Sequence, residues 1–383
     1  MKRIGLLPRI LIAILLGVAL GFVLPIPAVR FFATFNAVFS QFLGFMIPLL
    51  IVGLIASAIG RIGTNAGKLL VVTIVLAYAD TVLAALLAYG TGSWLFPGLI
   101  GAPDSAQVMK PEDILPYFTL SIPPVIDVMS ALVGAFVVGL GIAYLKLGTL
   151  KKLFDEFEQL ISAIIQRAIV PLLPLYIFGI FLCMTVSGQV FHILKVFAGI
   201  IVVIFLLHLF ILFYEFVAAG CLARRNPFRL FLTMLPAYFT ALGTSSSAAT
   251  IPVTLRQAIA NGVSEPVAQF SIPLCATIHM SGSAMKITAC ALTVCLMQGM
   301  ACDFPLFLHF ILLLAVCMVA GPGVPGGAVM AALAPLSSIL GFGTDEQALI
   351  IALYIAMDSF GTACNVTGDG AIAVILDKYF KTK

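Results

Sequence analysis

The chain has 383 residues, 62% of them apolar and 9% charged, with a mean hydropathy of +1.18 and a net charge of +4. A soluble domain carries about 25% charged residues and about half apolar ones, so this composition excludes a water-facing surface. At about 20 apolar residues per crossing, the length holds about eight to ten spans and no sizeable extramembrane domain, which confines any chemistry to the bilayer.

The opening, MKRIGLLPRILIAILLGVALGFVLP, joins a basic start to a long apolar run without a small-residue cleavage site. It reads as a retained first span running outward rather than a signal peptide. Alternating the spans from there puts fifteen of the twenty basic residues inside, Arg30, Lys110 and Lys195 outside, and Arg167 and Lys286 at membrane depth. That asymmetry is the positive-inside pattern, and it predicts an inner-membrane protein with both termini cytoplasmic. The eight cysteines form no CxxC pair and the four histidines no i+3 or i+4 pair, so neither a disulfide framework nor a zinc site is indicated.

In chain order, apolar helices are expected at 8–25, 36–60, 67–97, 117–147, 156–185 and 192–220, with GAPDSAQVMKPED as the long polar outer loop. The IPP at 122–124 should break its segment, because proline removes a donor and clashes with the preceding turn. Glu215 and Arg167 read as snorkelling residues near span ends. The second half differs. Segments 227–259 and 303–342 are apolar around centres that cannot remain helical, GTSSSAATIP at 243–252 and GPGVPGG at 321–327, and each reads as a hairpin of two half-helices. Non-helical backbone at this depth is tolerated where it lines a cavity, and paired broken segments point to a transporter's binding site.

In the last span Asp358, Thr362, Asn365 and Asp369 fall at i, i+4, i+7 and i+11, all on one helix face. A carboxylate at the bilayer centre costs about 2.5–3.5 kcal/mol even on the lenient insertion scale, so something cationic must meet that face. The preceding span, around 265–297, offers His279, Ser283 and Lys286 at i, i+4 and i+7, with Ser281 nearby. Two helices and two loop tips would then surround one polar cavity.

The runs SSSAATIP, ATIHMSGSA, GPGVPGG and DSFGTACNVTGD, with EDILP and PLLPLYIFGIF before them, resemble in order and spacing the dicarboxylate/amino acid:cation symporters, the glutamate-transporter family. The resemblance implies an all-α polytopic fold of eight transmembrane helices plus two reentrant hairpins, in a homotrimer. It implies scaffold segments at 1–66 and 98–186, and a transport domain of 67–97 and 187–383 that moves as an elevator. It matches Asp358 to the carboxylate that holds the substrate's ammonium group. Thr362, Asn365 and Ser283 match pocket residues, and Ser246 and Ser247 match serines that hold the α-carboxylate. Sodium is the implied coupling ion, with no organic cofactor: Asp369 matches the carboxylate of one site, completed by carbonyls near Cys275, His279 and Asn365. Val324, Gly326 and Thr277 match the second hairpin and its sodium site. Carboxylate plus carbonyl oxygens suits a hard cation.

Departures narrow the substrate. Dicarboxylate-selective members place an arginine where this chain has Gly361 or Ser245, and burying a second substrate carboxylate without it leaves an uncompensated charge. A small neutral amino acid of the serine, threonine or alanine kind is expected; an acidic amino acid, or proton coupling through His279, is the alternative. The family's Asn-Met-Asp-Gly-Thr reads His279-Met280-Ser281-Gly282-Ser283, so fewer sodium ions are expected. Tyr78 and Thr81 match span-3 residues of the third sodium site. There Asp80 and Lys286 suggest a tethered ammonium in place of the ion, or a merely structural pair. An intramembrane hydrolase using a serine, His279 and Asp358 is the reading from another class, and it lacks a GxSxG elbow. A channel is a third; neither involves nucleic acid.

Overall fold

The computed structural model describes residues 6–62, 68–100, 114–188, 190–319 and 326–380. Val324 and most of GPGVPGG lie outside the described residues, as does GAPDSAQVMKPED. Among the described residues the regular elements are helical: α1 (Leu6–Gly21), α2 (Ile26–Ile62), α3 (Lys68–Ile100), α4 (Val128–Leu145), α5 (Gly148–Ile164), α6 (Val170–Val186), α7 (Val190–Ala223), α8 (Pro227–Thr244), α9 (Ser247–Ala260), α10 (Glu265–Ile278), α11 (Ser281–Gln298), α12 (Phe304–Val319), α13 (Gly327–Ser338), α14 (Thr344–Ala356) and α15 (Asp358–Phe380). This is a multi-pass helical membrane protein.

Five helices have the length and apolarity to cross a bilayer: α2, α3, the continuous α5–α6 helix, α7, and the α10–α11 pair. The α14–α15 pair, bent by 64°, makes a sixth among the described residues, and α1, α4, α12 and α13 carry shorter apolar stretches. The sequence expectation for the fifth span began at 156. The helix instead runs from Gly148 and continues through a π turn at Ile165–Ile169, with Pro171 and Pro174 just beyond.

The IPP break is present. Residues 114–127 run without helix beside α2, held where Arg30 Nε donates to Leu115 O at 2.8 Å and the Tyr117 N–H to Thr34 Oγ1 at 2.8 Å. Asp127 then caps α4 by accepting from the Ser130 N–H at 3.0 Å.

The helices pack as two groups. α2 lies on α4, α5 and α6, and α1 on α6; α3 lies on α11, and α15 is surrounded by α7, α8, α9, α10 and α11. Burial varies within the second group. In the most apolar stretch of α3 only 28% of residues are buried, against 89% in α10–α11, so α3 turns most of its surface to lipid and α10–α11 is the central element.

Candidate functional site

The first broken segment divides into two helices at its serine run; of the second, the flanking helices α12 and α13 and Gly326 are described. Hairpin 1 breaks at Ser245, whose left-handed φ of 49° ends α8, and Ser246, which caps α9 by accepting from the Ala249 N–H at 3.3 Å. Serine disfavours positive φ, and the turn is held by a 2.7 Å hydrogen bond between Ser245 Oγ and Ser359 Oγ of α15. Ser247 is buried at the first turn of α9. In hairpin 2, Gly326 adopts φ of 75° just before α13, and its N–H donates to Asp358 Oδ2 at 2.8 Å. Ser245 and Gly326 therefore both meet the first residues of α15, and the positive end of the α13 dipole faces the Asp358 carboxylate.

The stripe on α15 holds: Asp358, Thr362, Asn365 and Asp369 are all buried. At 1.5 Å per residue, Asp358 and Asp369 are about 16 Å apart along the axis, and so mark two centres rather than one. Asn365 lies between them. Its Oδ1 accepts from the Gly282 and Ser283 N–H groups at 2.8 and 3.3 Å, and its Nδ2 donates to Ser283 Oγ at 3.0 Å. The buried N–H donors at the start of α11 are thereby satisfied by a side chain of the neighbouring helix.

At the Asp358 end, Lys286 is fully buried. Its Nζ donates to Met357 O at 3.0 Å, lies 3.7 Å from the centre of the Tyr354 ring, and is 3.9 Å from Asp358 Oδ1. A Cβ at Gly361 would meet that Nζ at 2.8 Å. Tyr354 OH shares a 3.1 Å hydrogen bond with Ser283 Oγ.

At the Asp369 end, the His279 ring bridges two carboxylates, Nδ1 at 3.0 Å from Asp369 Oδ1 and Nε2 at 2.8 Å from Asp80 Oδ2. Tyr214 OH donates to Asp80 Oδ1 at 2.6 Å, Ser281 Oγ donates to Glu215 Oε1 at 3.0 Å, and the Met280 N–H reaches Thr81 Oγ1 at 3.4 Å. Asp80, Glu215 and His279 each offer a ligand atom within 4.8 Å of one another. Asp369 Oδ2 and Glu215 Oε2 are buried with no partner atom.

These positions correct three readings. Lys286 does not pair with Asp80 or enter the third-site region; it faces Asp358, and His279 is the group between Asp80 and Asp369. The helical register assumed from His279 to Lys286 fails because residues 279 and 280 are extended or irregular, and α11 restarts at Ser281. Glu215 does not snorkel: it is 5% exposed, eight residues before the end of α7. Its burial, and that of His208, whose Nε2 donates to Gly282 O at 3.3 Å, follow from their i, i+7 spacing on one face of α7. That spacing was available in the sequence. Tyr214 and Tyr354 gave no such signal. Two further candidates stand apart: Tyr78 OH donates to Leu312 O at 3.1 Å, and exposed Thr277 turns its hydroxyl back to Leu274 O at 2.8 Å. Cys275 is buried, with its carbonyl accepting from the His279 N–H at 2.8 Å.

Buried charge gathered at broken helices, within a bundle of membrane-length apolar helices, defines a polytopic membrane transport protein. The chain belongs to the sodium:dicarboxylate symporter family, whose sequence profile matches residues 6–379. The serine/threonine transporter SstT of Acinetobacter baylyi (strain ATCC 33305 / BD413 / ADP1) is 27% identical over 399 aligned positions, covering 99% of this chain and 98% of the relative. SstT of Acinetobacter baumannii (strain AYE) is 27% identical over 396, covering 98% and 97%. The family and these relatives are transporters and not enzymes. The geometry agrees, since both ring nitrogens of His279 face carboxylates and neither is left to activate a serine.

Proposed function

We propose that this chain is a sodium-coupled symporter of a small neutral amino acid, of the serine, threonine or alanine kind, in a cell membrane with both termini cytoplasmic. The observation that carries the reading is Asp358, a buried carboxylate that accepts from the Gly326 N–H at the start of α13 and neighbours Ser359, the partner of Ser245 in hairpin 1. In this reading Asp358 receives the substrate's ammonium group, and Ser246 and Ser247 at the α9 N-terminus receive its α-carboxylate, where hydrogen-bond donors and the helix dipole favour an anion. Thr362, Asn365 and Ser283 line the space between. Gly361 and Ser245 supply no guanidinium for a second carboxylate. The names of the two relatives favour the same substrate class.

Sodium enters as a second cargo. Asp369 Oδ2, buried without a partner, is the donor a hard cation prefers, with carbonyls near Cys275, His279 and Asn365 to complete its shell. The His279 bridge between Asp80 and Asp369 supports the expectation of fewer sodium ions than in relatives with an aspartate at the Ser281 position.

Alternating access is read as movement of 67–97 and 187–383 against a scaffold of 1–66 and 98–186 in a homotrimer. The separation of the packing into an α1, α2, α4, α5, α6 group and a group around α15 supports that division. The test is thermal stabilisation of purified protein by serine, threonine, alanine, aspartate and glutamate, each with and without sodium, because a ligand that binds the folded state raises its melting point. Sodium-dependent stabilisation by a neutral amino acid is expected; stronger stabilisation by aspartate than by every neutral candidate would overturn the assignment.

A further inference from the structure

Asp358 is given two tasks that conflict. As the ammonium receptor it must present a carboxylate oxygen to the substrate, yet that carboxylate faces a resident ammonium group. Oδ2 accepts from the Gly326 N–H at 2.8 Å and Oδ1 lies 3.9 Å from Lys286 Nζ. Among the described residues Asp358 is the one carboxylate within ion-pair range of Lys286. Both side chains are buried, at 7% and 0% exposure, so neither charge has water as an alternative partner.

The rest of the Lys286 environment is built for a cation that moves. Its other stabilising contacts are a single carbonyl, Met357 O, and the face of Tyr354. A ring face holds an ammonium without fixing its direction. Gly361 leaves open the space that a side chain there would take from Nζ, since even a Cβ would sit 2.8 Å from it. The carbonyl of Met357 belongs to the bent junction between α14 and α15, one residue before Asp358, so the ammonium can retreat from the carboxylate without losing its backbone acceptor.

We propose that Lys286 is a built-in counter-ion which the substrate's ammonium group replaces at Asp358, and which neutralises Asp358 again while the carrier returns without substrate. The inference rests on the amino acid reading above. An uncompensated carboxylate at membrane depth opposes movement through the hydrocarbon region. The loaded carrier brings its own ammonium to Asp358; the unloaded carrier has Lys286. Lys286 is thus required for the return leg and acts against binding on the forward one.

The experiment compares two modes in proteoliposomes with saturating sodium: net uptake of labelled serine into vesicles lacking serine, which needs the unloaded return, and exchange against internal serine, which does not. Lys286→Met and Lys286→Gln remove the charge, and Gln keeps a donor for Met357 O. Net uptake is expected to fall about tenfold or more while exchange stays within about twofold and serine binds more tightly, because a buried carboxylate has lost the cation that faces it. A folded variant that keeps the wild-type ratio of net uptake to exchange would overturn the proposal. So would a variant that loses aspartate transport selectively, which would make Lys286 a receptor for a substrate side-chain carboxylate. If neither single variant folds, Lys286→Met/Asp358→Asn decides: restored folding shows that the two charges are each other's partners, and continued misfolding contradicts it. Failure of wild-type protein to transport any neutral amino acid would instead refute the functional reading, leaving the two failures distinct.

Discussion

Asp358 and Asp369 are chemically identical side chains, eleven residues apart on one helix face, yet their surroundings assign them different cargo. Asp358 meets the Gly326 N–H and an ammonium; Asp369 meets an imidazole and keeps one buried oxygen without a hydrogen-bond partner. Asp358→Asn should therefore abolish serine-dependent stabilisation at any sodium concentration. Asp369→Asn should preserve it but raise the sodium concentration required by about tenfold or more, equivalent to about 1.4 kcal/mol; thermal titrations with each cargo separate the two, and equal loss of both responses in either variant would contradict the division. His279 holds Asp80 and Asp369 together, so His279→Leu leaves the buried Asp369 and the partly buried Asp80 without that partner. Removing one member of a buried charged pair costs about 3–5 kcal/mol, which should appear as a marked fall in melting temperature whether or not serine is present. At this scale the sequence was legible where the helix was continuous. The α15 stripe could be placed by counting because nothing interrupts 358–369, whereas counting from His279 to Lys286 crossed a break that resets the register. Lys286 was visibly a charge at membrane depth, but its partner is 72 residues away in sequence, and spacing alone carries no information about such a pair.

The broken elements owe their form to particular residues, and their close packing constrains those residues further. α11 and α15 approach so closely at Gly282 that a Cβ there would lie 2.7 Å from Cys364 Cβ and 2.9 Å from Gly361 O. The obstructing atoms are a short side chain and backbone, so they cannot swing aside. Gly282→Ala should cost about 1–3 kcal/mol by overpacking, seen as a lower melting temperature, and an unchanged value would mean the two helices have room to separate. The hairpins were readable because glycine, proline and serine runs disrupt otherwise apolar segments. The bend between α14 and α15 was not: IALYIAMDSFG contains no proline, and the change of direction at Met357 is set by tertiary contacts such as Lys286 on the Met357 carbonyl. Glu215 was visible as an acid in an apolar helix, but that helix reaches Ala223, beyond the predicted end at 220, and its depth was underestimated.

For the molecule as a whole, the proposed movement requires sliding where the two helix groups touch. Leu50, Ile51, Leu54 and Ile55 of α2 share a small apolar cleft with Cys317 of α12 and Met330 of α13, an interface of aliphatic, thiol and thioether side chains. Joining Leu54→Cys to the native Cys317 with a short bifunctional thiol reagent should stop uptake while serine-dependent stabilisation remains; the wild-type chain, treated identically, should be unaffected. Full uptake by the linked protein would show that 1–66 and 187–383 do not move against each other. The count of eight spans beside the two hairpins came from the family resemblance, whereas about eight to ten spans were legible in composition and hydropathy, since lipid demands apolar length at every crossing. How the helices divide between groups was not, because scaffold and transport segments are equally apolar. The most direct test of the central claim is uptake of labelled serine into proteoliposomes under an inward sodium gradient, with unlabelled amino acids as competitors. Accumulation above the external concentration, lost when sodium is replaced by choline and competed by threonine and alanine, is the predicted result; uptake indifferent to the gradient, or competed best by aspartate, would contradict it.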